Sequence, residues 1–380
     1  MEKIICRILD SGHSVSLVQK RISTGDMPLS LKNKENLKII NISWNEPDKS
    51  SFIKRYISSL KYYKVCEKKI KKLNNIDVIF LQSNNTAVLH VMFAKRHKIP
   101  IVYNVQDIFP FDALAVGKLS KNNPAFIISR KMQALAYKKA DRVVTISEDL
   151  AKVLRQESKR DIDIIYNWSY QNEPYCIKDK DNHFLNTYGI KREDGFRVVY
   201  AGNIGQMMNA DMLINVAKYL RGYKLIKFYI IGVGSNLDYL KKKANENNLD
   251  NLLFYPPQPM EYAPDNYCMA DVNINPVPKG VIYTCMPSKT NTCLLSRKPT
   301  VVSMDLDSDM AKKLSNIDKW TVVAPDDAVS FANAILDIYN NKNLDSYSNN
   351  SAQFLKSVAP VENADEYVKI LEQTAKKERI

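Results

Sequence analysis

The sequence lacks the features that mark membrane-spanning and secreted proteins. Nothing in its 380 residues approaches an unbroken apolar run of about eighteen positions, the length that a membrane-spanning helix needs. The opening residues, MEKIICRILDSGH, mix charged and apolar side chains in a helical pattern and contain no small-residue cleavage site. We therefore expect neither a membrane span nor a signal peptide.

Paired cysteines are absent as well. The six cysteines are scattered without a CxxC pair, and the four histidines do not cluster beside them. Disulfide frameworks and structural zinc sites both depend on such pairing. The pattern favours reduced thiols in a cytoplasmic protein, and we expect no metal ion.

Acidic residues are scarce in the first half of the chain. Residues 1–170 contain 30 Lys and Arg against 16 Asp and Glu, whereas residues 171–380 contain 25 of each, so the whole net charge of +14 lies in the first half. A basic half joined to a neutral one indicates that the first meets an anionic partner, such as phospholipid, a phosphate-bearing substrate or nucleic acid.

Two segments concentrate this positive charge together with aromatic residues. Residues 51–73 and 123–140 both show apolar and aromatic positions at helical spacing between lysines. Each could lie on an anionic membrane surface, although an ordinary amphipathic helix with a solvated lysine face would show the same pattern. The candidate membrane or acceptor contacts are Lys61, Lys64, Lys68, Lys69, Lys71, Lys72, Arg130 and Lys131.

Short apolar runs alternate with helical patterns along the whole chain. Strands are predicted at residues 76–81, 101–105, 142–146, 162–166, 197–201, 226–231, 252–255, 272–274 and 300–303. This alternation predicts an α/β protein with two Rossmann-like domains of parallel sheet facing across a ligand cleft. The polar loop that begins at Asn167 predicts an N-terminal domain over 1–166 and a C-terminal domain over 167–355. Residues 356–380 are predicted to form a helix that packs back toward the N-terminal domain.

Glycine is also scarce, and four of the glycines in the second half, Gly202, Gly205, Gly232 and Gly234, fall at predicted turns from strand to helix. The stretches AGNIG and IIGVGSN place glycines where an anion could bind, but such turns also use glycine for steric reasons alone. The stretch MPSKTNTCLLSRKPTVV, residues 286–302, contains no acidic residue and predicts a helix entered through Pro287 and Ser288. Lys289 in its first turn opposes the helix dipole, and a bound phosphate would explain it.

In this order AGNIG, IIGVGSN, CMADVNINP and MPSKTNTCLLSRKPTVV resemble the donor-binding domain of glycosyltransferase family 4, whose members are retaining enzymes of the GT-B fold. VYNVQDIFPFDALAVGKLS and ADRVVTISEDLAKVL resemble its acceptor domain, in the style of bacterial enzymes of capsule, O-antigen or exopolysaccharide synthesis. The resemblance implies transfer of a hexosyl or N-acetylhexosaminyl group from a nucleotide diphosphate-sugar to a lipid-linked acceptor. Such a protein would lie peripherally at the inner face of the cell membrane.

The resemblance also implies site residues. Donor binding is expected at Gly202, Asn203, Gly205, Gly232, Gly234, Gln258, Thr284, Met286, Ser288, Lys289, Thr290 and Thr292. Lys289 is expected to stabilise the departing diphosphate, so that no metal is required. Gln106, directly after a predicted strand, is expected to approach the transferred sugar. Asp107 beside it is either a further catalytic residue or a loop-stabilising one.

Three departures from the family pattern leave alternatives open. Thr284 and Thr292 stand where many members have two glutamates, and Asn203 and Met208 stand where many have Arg and Lys. The chain also opens inside the expected first helix, so the first strand of the N-terminal domain is missing. A late start codon, a truncation or a completing partner subunit would each explain this.

These departures make a non-catalytic GT-B subunit of a glycosyltransferase complex the alternative function. Nucleic-acid binding is disfavoured because no recognised motif accompanies the basic residues. A sugar-nucleotide epimerase is disfavoured because the donor region offers no acid or base side chains.

Overall fold

The computed structural model of the chain describes residues 1–20, 29–31, 34–44, 52–169, 173–175, 177–341 and 347–376. The chain forms two compact units. The first unit comprises Met1–Phe111, Leu119–Tyr166 and Glu362–Ile380, and the second comprises Asp112–Lys118 and Asn167–Val361. The predicted C-terminal segment is thus divided, with residues 356–361 in the second unit, and its last four residues lie outside the described part.

Strands and helices alternate in the first part of the chain. The elements are α1 Glu2–Asp10, β1 Val15–Lys20, β2 Leu37–Ile42, α2 Phe52–Ile70, β3 Ile79–Gln82, α3 Ala87–Arg96, β4 Ile101–Val105, α4 Phe111–Ala115, α5 Pro124–Lys139, β5 Arg142–Thr145, α6 Glu148–Ser158 and β6 Asp163–Ile164.

The alternation continues to the C-terminus. The remaining elements are α7 His183–Tyr188, β7 Phe196–Ala201, α8 Ala210–Leu220, β8 Ile226–Ile231, α9 Leu237–Glu246, β9 Leu252–Tyr255, α10 Ala263–Cys268, β10 Val272–Pro276, α11 Lys289–Ser296, β11 Thr300–Ser303, α12 Asp309–Leu314, β12 Trp320–Val323, α13 Ala328–Asn340, α14 Ser351–Val358 and α15 Asn363–Lys376.

The first unit holds two separate parallel sheets. Strands β3 to β6 pair in chain order, and β1 pairs with β2 in a sheet of its own. Among the described residues no strand joins the two sheets. Helix α1 buries Ile5 and Leu9 against Leu31, and it also contacts β1 and α15.

The second unit contains one six-stranded parallel sheet in the order β12-β11-β10-β7-β8-β9. All six positions of the central strand β7, FRVVYA, are buried, as is usual when helices cover both faces of a parallel sheet. Its core includes Val198, Phe228 and Ile274. Parallel strands all end at the same edge, so the loops after β7, β8, β9, β10 and β11 meet there.

No helix in the described ranges combines the length and the apolar composition that crossing a membrane requires.

Candidate functional site

Two glycine-containing loops pack backbone to backbone at the carboxyl ends of β7 and β8. Ile204 N donates to Val233 O at 2.8 Å. A Cβ atom on Gly232 would lie only 2.0 Å from Gly202 O, and one on Gly234 only 2.2 Å from Ile204 O. Gly232 also has a φ of +147°, which side-chain-bearing residues rarely adopt. These glycines are therefore required by the close approach of the two loops.

Lys289, the first residue of α11, reaches this edge of the sheet. A Cβ atom on Gly202 would lie 3.5 Å from Lys289 Cε and 3.8 Å from its Nζ. The ammonium stands 3.9 Å from the ring centroid of Tyr200 and donates to the Tyr200 hydroxyl. Ser288 forms the N-cap of α11 without a side-chain cap bond and is exposed. The cation is thus held beside the first glycine after β7.

Burial governs the electrostatics around Lys289. Loss of hydration lowers the pKa of its amine to about 8. Cys293, one turn further along α11, has its thiol pKa raised to about 12 by the same cause, so it remains neutral. In the described part of the chain no carboxylate shifts the pKa of this amine, so its positive charge is available to an incoming anion.

Asn203 and Met208 occupy the positions where many family members have Arg and Lys. The Asn203 carbonyl accepts a hydrogen bond from Tyr200 Oη at 2.7 Å, while its side chain lies against Gly205 and Gly234. Met208 is 3% exposed and packs in the core of the second unit. Neither residue supplies a cation, which leaves that role in this part of the site to Lys289.

The predicted threonines differ in how open they are. Thr284 is 5% exposed and donates its hydroxyl to Val281 O at 2.9 Å. Thr290 is 2% exposed and accepts from Asn275 Nδ2 at 3.3 Å. Thr292 is half-buried. Two of the three hydroxyls are thus engaged with the protein itself.

The other predicted donor residues lie in loops at the same edge of the sheet. Gln258, in the loop after β9, donates to Pro256 O at 3.0 Å and to the Tyr188 hydroxyl at 3.3 Å. Met286 is half-buried in the segment before α11. Gln258 thus shapes its own loop.

Gln106 and Asp107 follow β4 in the first unit. Ser83 Oγ accepts the backbone N–H of Gln106 at 2.6 Å and that of Asp107 at 3.4 Å. The Gln106 side chain is half-buried and that of Asp107 is exposed. Partial loss of hydration raises the pKa of the Asp107 carboxyl above its ordinary value. Both residues are therefore anchored through their backbones.

The predicted basic contacts lie on the surface of α2 and its end, and on α5. The exposed members are Lys61, Lys64, Lys68, Lys69, Lys71, Lys72, Arg130 and Lys131. Apolar side chains are exposed beside them, with Ile57 at 46% and Ile128 at 58%. Two members are paired with carboxylates: Glu157 holds Arg130 through two hydrogen bonds of 2.9 and 2.8 Å, and Glu67 Oε1 lies 2.8 Å from Lys71 Nζ.

Sequence reasoning missed Tyr200 and Tyr267. Tyr200 carries the Lys289 contact, and Tyr267 Oη donates to Ala201 O at 2.9 Å. A tyrosine inside the apolar run VVYA was the available signal for Tyr200, because a buried phenol needs a polar partner. Its partner lies 89 positions away in sequence, so the pairing itself was not visible.

Two family models match the chain. Glycosyltransferase Family 4 matches residues 5–168, and Glycosyl transferases group 1 matches residues 195–341. Among curated proteins, the probable glycosyltransferase WbjE of Pseudomonas aeruginosa is 23% identical over 266 residues, which is 69% of this chain and 66% of WbjE. The putative colanic acid biosynthesis glycosyl transferase WcaI of Escherichia coli K12 is 23% identical over 58% of this chain and 55% of WcaI. The chain thus spans less than two thirds of either relative.

Solved structures show the same fold. Sucrose-phosphate synthase from Thermosynechococcus elongatus superposes with a TM-score of 0.76 at 14% identity, covering 98% of this chain and 91% of that one. Anabaena HepE in complex with UDP and glucose gives a TM-score of 0.68 at 14% identity, covering 98% and 94%. The first half of the chain thus matches the family 4 model, the second half matches the group 1 glycosyl transferase model, and the chain has the GT-B fold.

Proposed function

We propose that the chain transfers a sugar from a nucleotide diphosphate-sugar to a lipid-linked saccharide in bacterial surface polysaccharide synthesis. The observation that carries the proposal is Lys289, whose ammonium stands beside Gly202 at the carboxyl end of β7. Among proteins of this fold, HepE has been solved with UDP, with UDP and glucose, and with UDP-glucose. A nucleoside diphosphate fits a site whose cation and backbone loops face one edge of the sheet.

Lys289 acts on the leaving group in this proposal. When the bond between the sugar C1 and the diphosphate oxygen breaks, negative charge builds on that oxygen, and a fixed cation stabilises it. Because the protein itself supplies this charge, the reaction as proposed needs no metal ion. Transfer with retention of configuration, and a hexosyl or N-acetylhexosaminyl group, are parts of the proposal that rest on the family resemblance.

The basic face of the first unit is the observation that supports a lipid-linked acceptor in this proposal. Lysines of α2 and α5 stand beside exposed apolar residues, including Ile57, Ile128 and Leu135, which is 40% exposed. Lysines attract anionic headgroups while apolar side chains enter the boundary with the acyl chains. We propose that this face holds the protein at the cytoplasmic membrane surface, where a lipid-linked saccharide is available.

One observation favours the alternative of a non-catalytic subunit. Thr284 stands where many family members have a glutamate, and its buried hydroxyl donates to Val281 O. This hydroxyl therefore offers a donor sugar a weaker hydrogen bond than a carboxylate would. Under this alternative the chain would keep its fold and nucleotide binding without turnover.

A nucleotide-sugar consumption assay tests the proposal. The purified chain would be incubated with UDP- and GDP-sugars and membranes containing lipid-linked saccharides, and release of the nucleoside diphosphate would be followed. Release that depends on both the chain and the membranes, and that is lost with Lys289→Ala but kept with Lys218→Ala, supports the transferase. Lys218 is a suitable control because it is exposed on α8. A folded chain that binds the nucleotide but produces no nucleoside diphosphate from any nucleotide-sugar would favour the non-catalytic subunit.

A further inference from the structure

Tyr200 makes two hydrogen bonds through one hydroxyl. Its oxygen donates to Asn203 O at 2.7 Å and accepts from Lys289 Nζ, while the ring faces the same ammonium with its centroid 3.9 Å from Nζ. The side chain is 0% exposed, although it carries a polar group in the central strand of the sheet. This fully buried phenol therefore connects the first turn of α11 to the loop after β7.

The protons at this junction can be counted. A phenol has one proton, which goes to the Asn203 carbonyl, so its oxygen can only accept from the ammonium. An ammonium has three protons, and Lys289 donates one of them to the Tyr200 hydroxyl. Two remain for other acceptors, such as oxygens of a bound diphosphate.

We propose that Tyr200 is the positioning residue of the donor site, which fixes the Lys289 ammonium beside Gly202 and keeps it charged while the site is empty. The hydroxyl oxygen accepts a hydrogen bond that is stronger from a charged ammonium than from a neutral amine. The negative face of the ring also attracts the cation. This inference rests on the proposed function, because the ammonium is held for an anionic donor group.

The groups around the Lys289 amine explain why the contact with Tyr200 is needed to keep it charged. The titratable groups next to the amine are Tyr200 on β7 and Cys293 on α11, the Tyr267 hydroxyl lies beside Gly202 as the amine does, and Tyr175 interacts electrostatically with Tyr267. Burial raises the pKa of each of these groups, so all are neutral near pH 7. With no anion to hold it, a partly desolvated ammonium tends to lose its proton. Tyr200 opposes that loss.

Competitive acetylation tests the proposal on the unliganded chain. Acetic anhydride reacts with the neutral amine only, so the extent of labelling at Lys289 from pH 6 to 11, read by mass spectrometry, reports its pKa. Tyr200→Phe keeps the ring and removes the hydroxyl, and should lower that pKa by about one unit. Tyr200→Leu removes the ring as well and should lower it further. Equal labelling curves in wild type and Tyr200→Phe would overturn the proposal.

Tyr103→Phe is the matched control for loss of a buried hydroxyl. Tyr103 is 2% exposed and its hydroxyl donates to Gln133 Oε1 at 3.1 Å in the first unit. It should reproduce the stability loss of Tyr200→Phe in thermal unfolding but leave the Lys289 labelling curve unchanged. A shift of that curve by Tyr103→Phe as well would assign the effect to general loosening and would also overturn the proposal.

Titration with UDP and GDP separates this proposal from the proposed function. Tyr200→Phe should weaken binding of whichever nucleotide the wild type binds by about tenfold, because the ammonium is less often charged and less well placed. If the folded wild type binds neither nucleotide, the donor function fails, while the acetylation curves still decide whether Tyr200 positions Lys289.

Discussion

Lys289 and the lysines of α2 place the same ammonium group in opposite surroundings. Lys289 is half-buried, lies on the ring of Tyr200 and has its pKa lowered to about 8 by burial. Lys61, Lys64 and Lys68 are exposed along one face of a helix. An enclosed cation in a fixed position suits a single anion, whereas exposed cations on flexible side chains suit a broad charged surface. Under the proposed function, the second unit would therefore hold one diphosphate and the first would meet many headgroups.

Removing the enclosed cation should give the largest effect. Lys289→Ala should reduce sugar transfer by about 100-fold or more, as loss of a group that stabilises developing charge commonly does. The melting temperature should change little, because the amine that is removed is already penalised by burial. A nucleotide-release assay and thermal unfolding on the same preparation measure the two effects. A melting temperature that falls as steeply as the activity would make Lys289 a structural residue.

Raising the pH should give the second-largest effect, a loss of nucleotide affinity. Binding of a diphosphate requires the charged amine, so affinity should be constant below about pH 8 and fall by about tenfold per unit above it. Stability should move in the opposite direction. The folded-state pKa of about 8 lies below the ordinary 10.5, so the unfolded chain binds more protons between these values and the Lys289 contribution to stability rises with pH there.

Calorimetric titration of nucleotide at pH 7, 8, 9 and 10 measures this dependence, with thermal unfolding at each pH beside it. Lys289→Arg is the matched variant, because a guanidinium stays charged throughout and should flatten the decline. An equally steep decline in Lys289→Arg would place the titrating group elsewhere.

Neutralising the exposed cations should have a smaller effect that is confined to membranes. Changing Lys68, Lys69, Lys71 and Lys72 to Gln should weaken sedimentation with anionic vesicles by about tenfold or more, since each Lys near such a surface contributes about 1 kcal/mol before screening. Nucleotide affinity should not change. The control removes the same charge from exposed positions of the second unit, namely Lys218, Lys224, Lys241 and Lys242. Equal loss in both variants would mean that only net charge matters.

The smallest effect should distinguish two neighbours on α5. Arg130 is held by Glu157 and lies 5.7 Å from the ring centroid of Phe111, whereas Lys131 is exposed beside it. Lys131→Gln should weaken vesicle binding by about fivefold, and Arg130→Gln by less, because its charge is already paired. Vesicle sedimentation at low and physiological salt compares them, and a larger loss for Arg130→Gln would contradict this ranking.

Much of the fold could be predicted because its buried strands are continuous apolar runs. Strands β4, β8, β9 and β11 have the bounds predicted for them. The prediction failed at the sheet edges, where burial is partial. Residues 162–166 were predicted as a strand, but only Asp163 and Ile164 form β6. Strand β2, in which Ile42 alone is buried, was not predicted.

The site was predictable only where its residues lie close together in the sequence. AGNIG and the helix start at Ser288 and Lys289 mark turns that short motifs reveal. The contact between Tyr200 and Lys289 depends on strand order, because β7 and β10 are neighbours in the sheet although two strands and three helices separate them along the chain. Likewise, the inward hydroxyl of Thr284 follows from a turn conformation that residue type does not specify.

Isothermal titration of UDP and GDP into the wild type and Lys289→Ala at pH 7 tests the central claim most directly. We predict micromolar binding of one nucleotide to the wild type, and binding at least about tenfold weaker to Lys289→Ala with unchanged thermal unfolding. Equal affinities in the two proteins would contradict the role of Lys289. Absence of binding to a folded wild type would contradict the donor site itself.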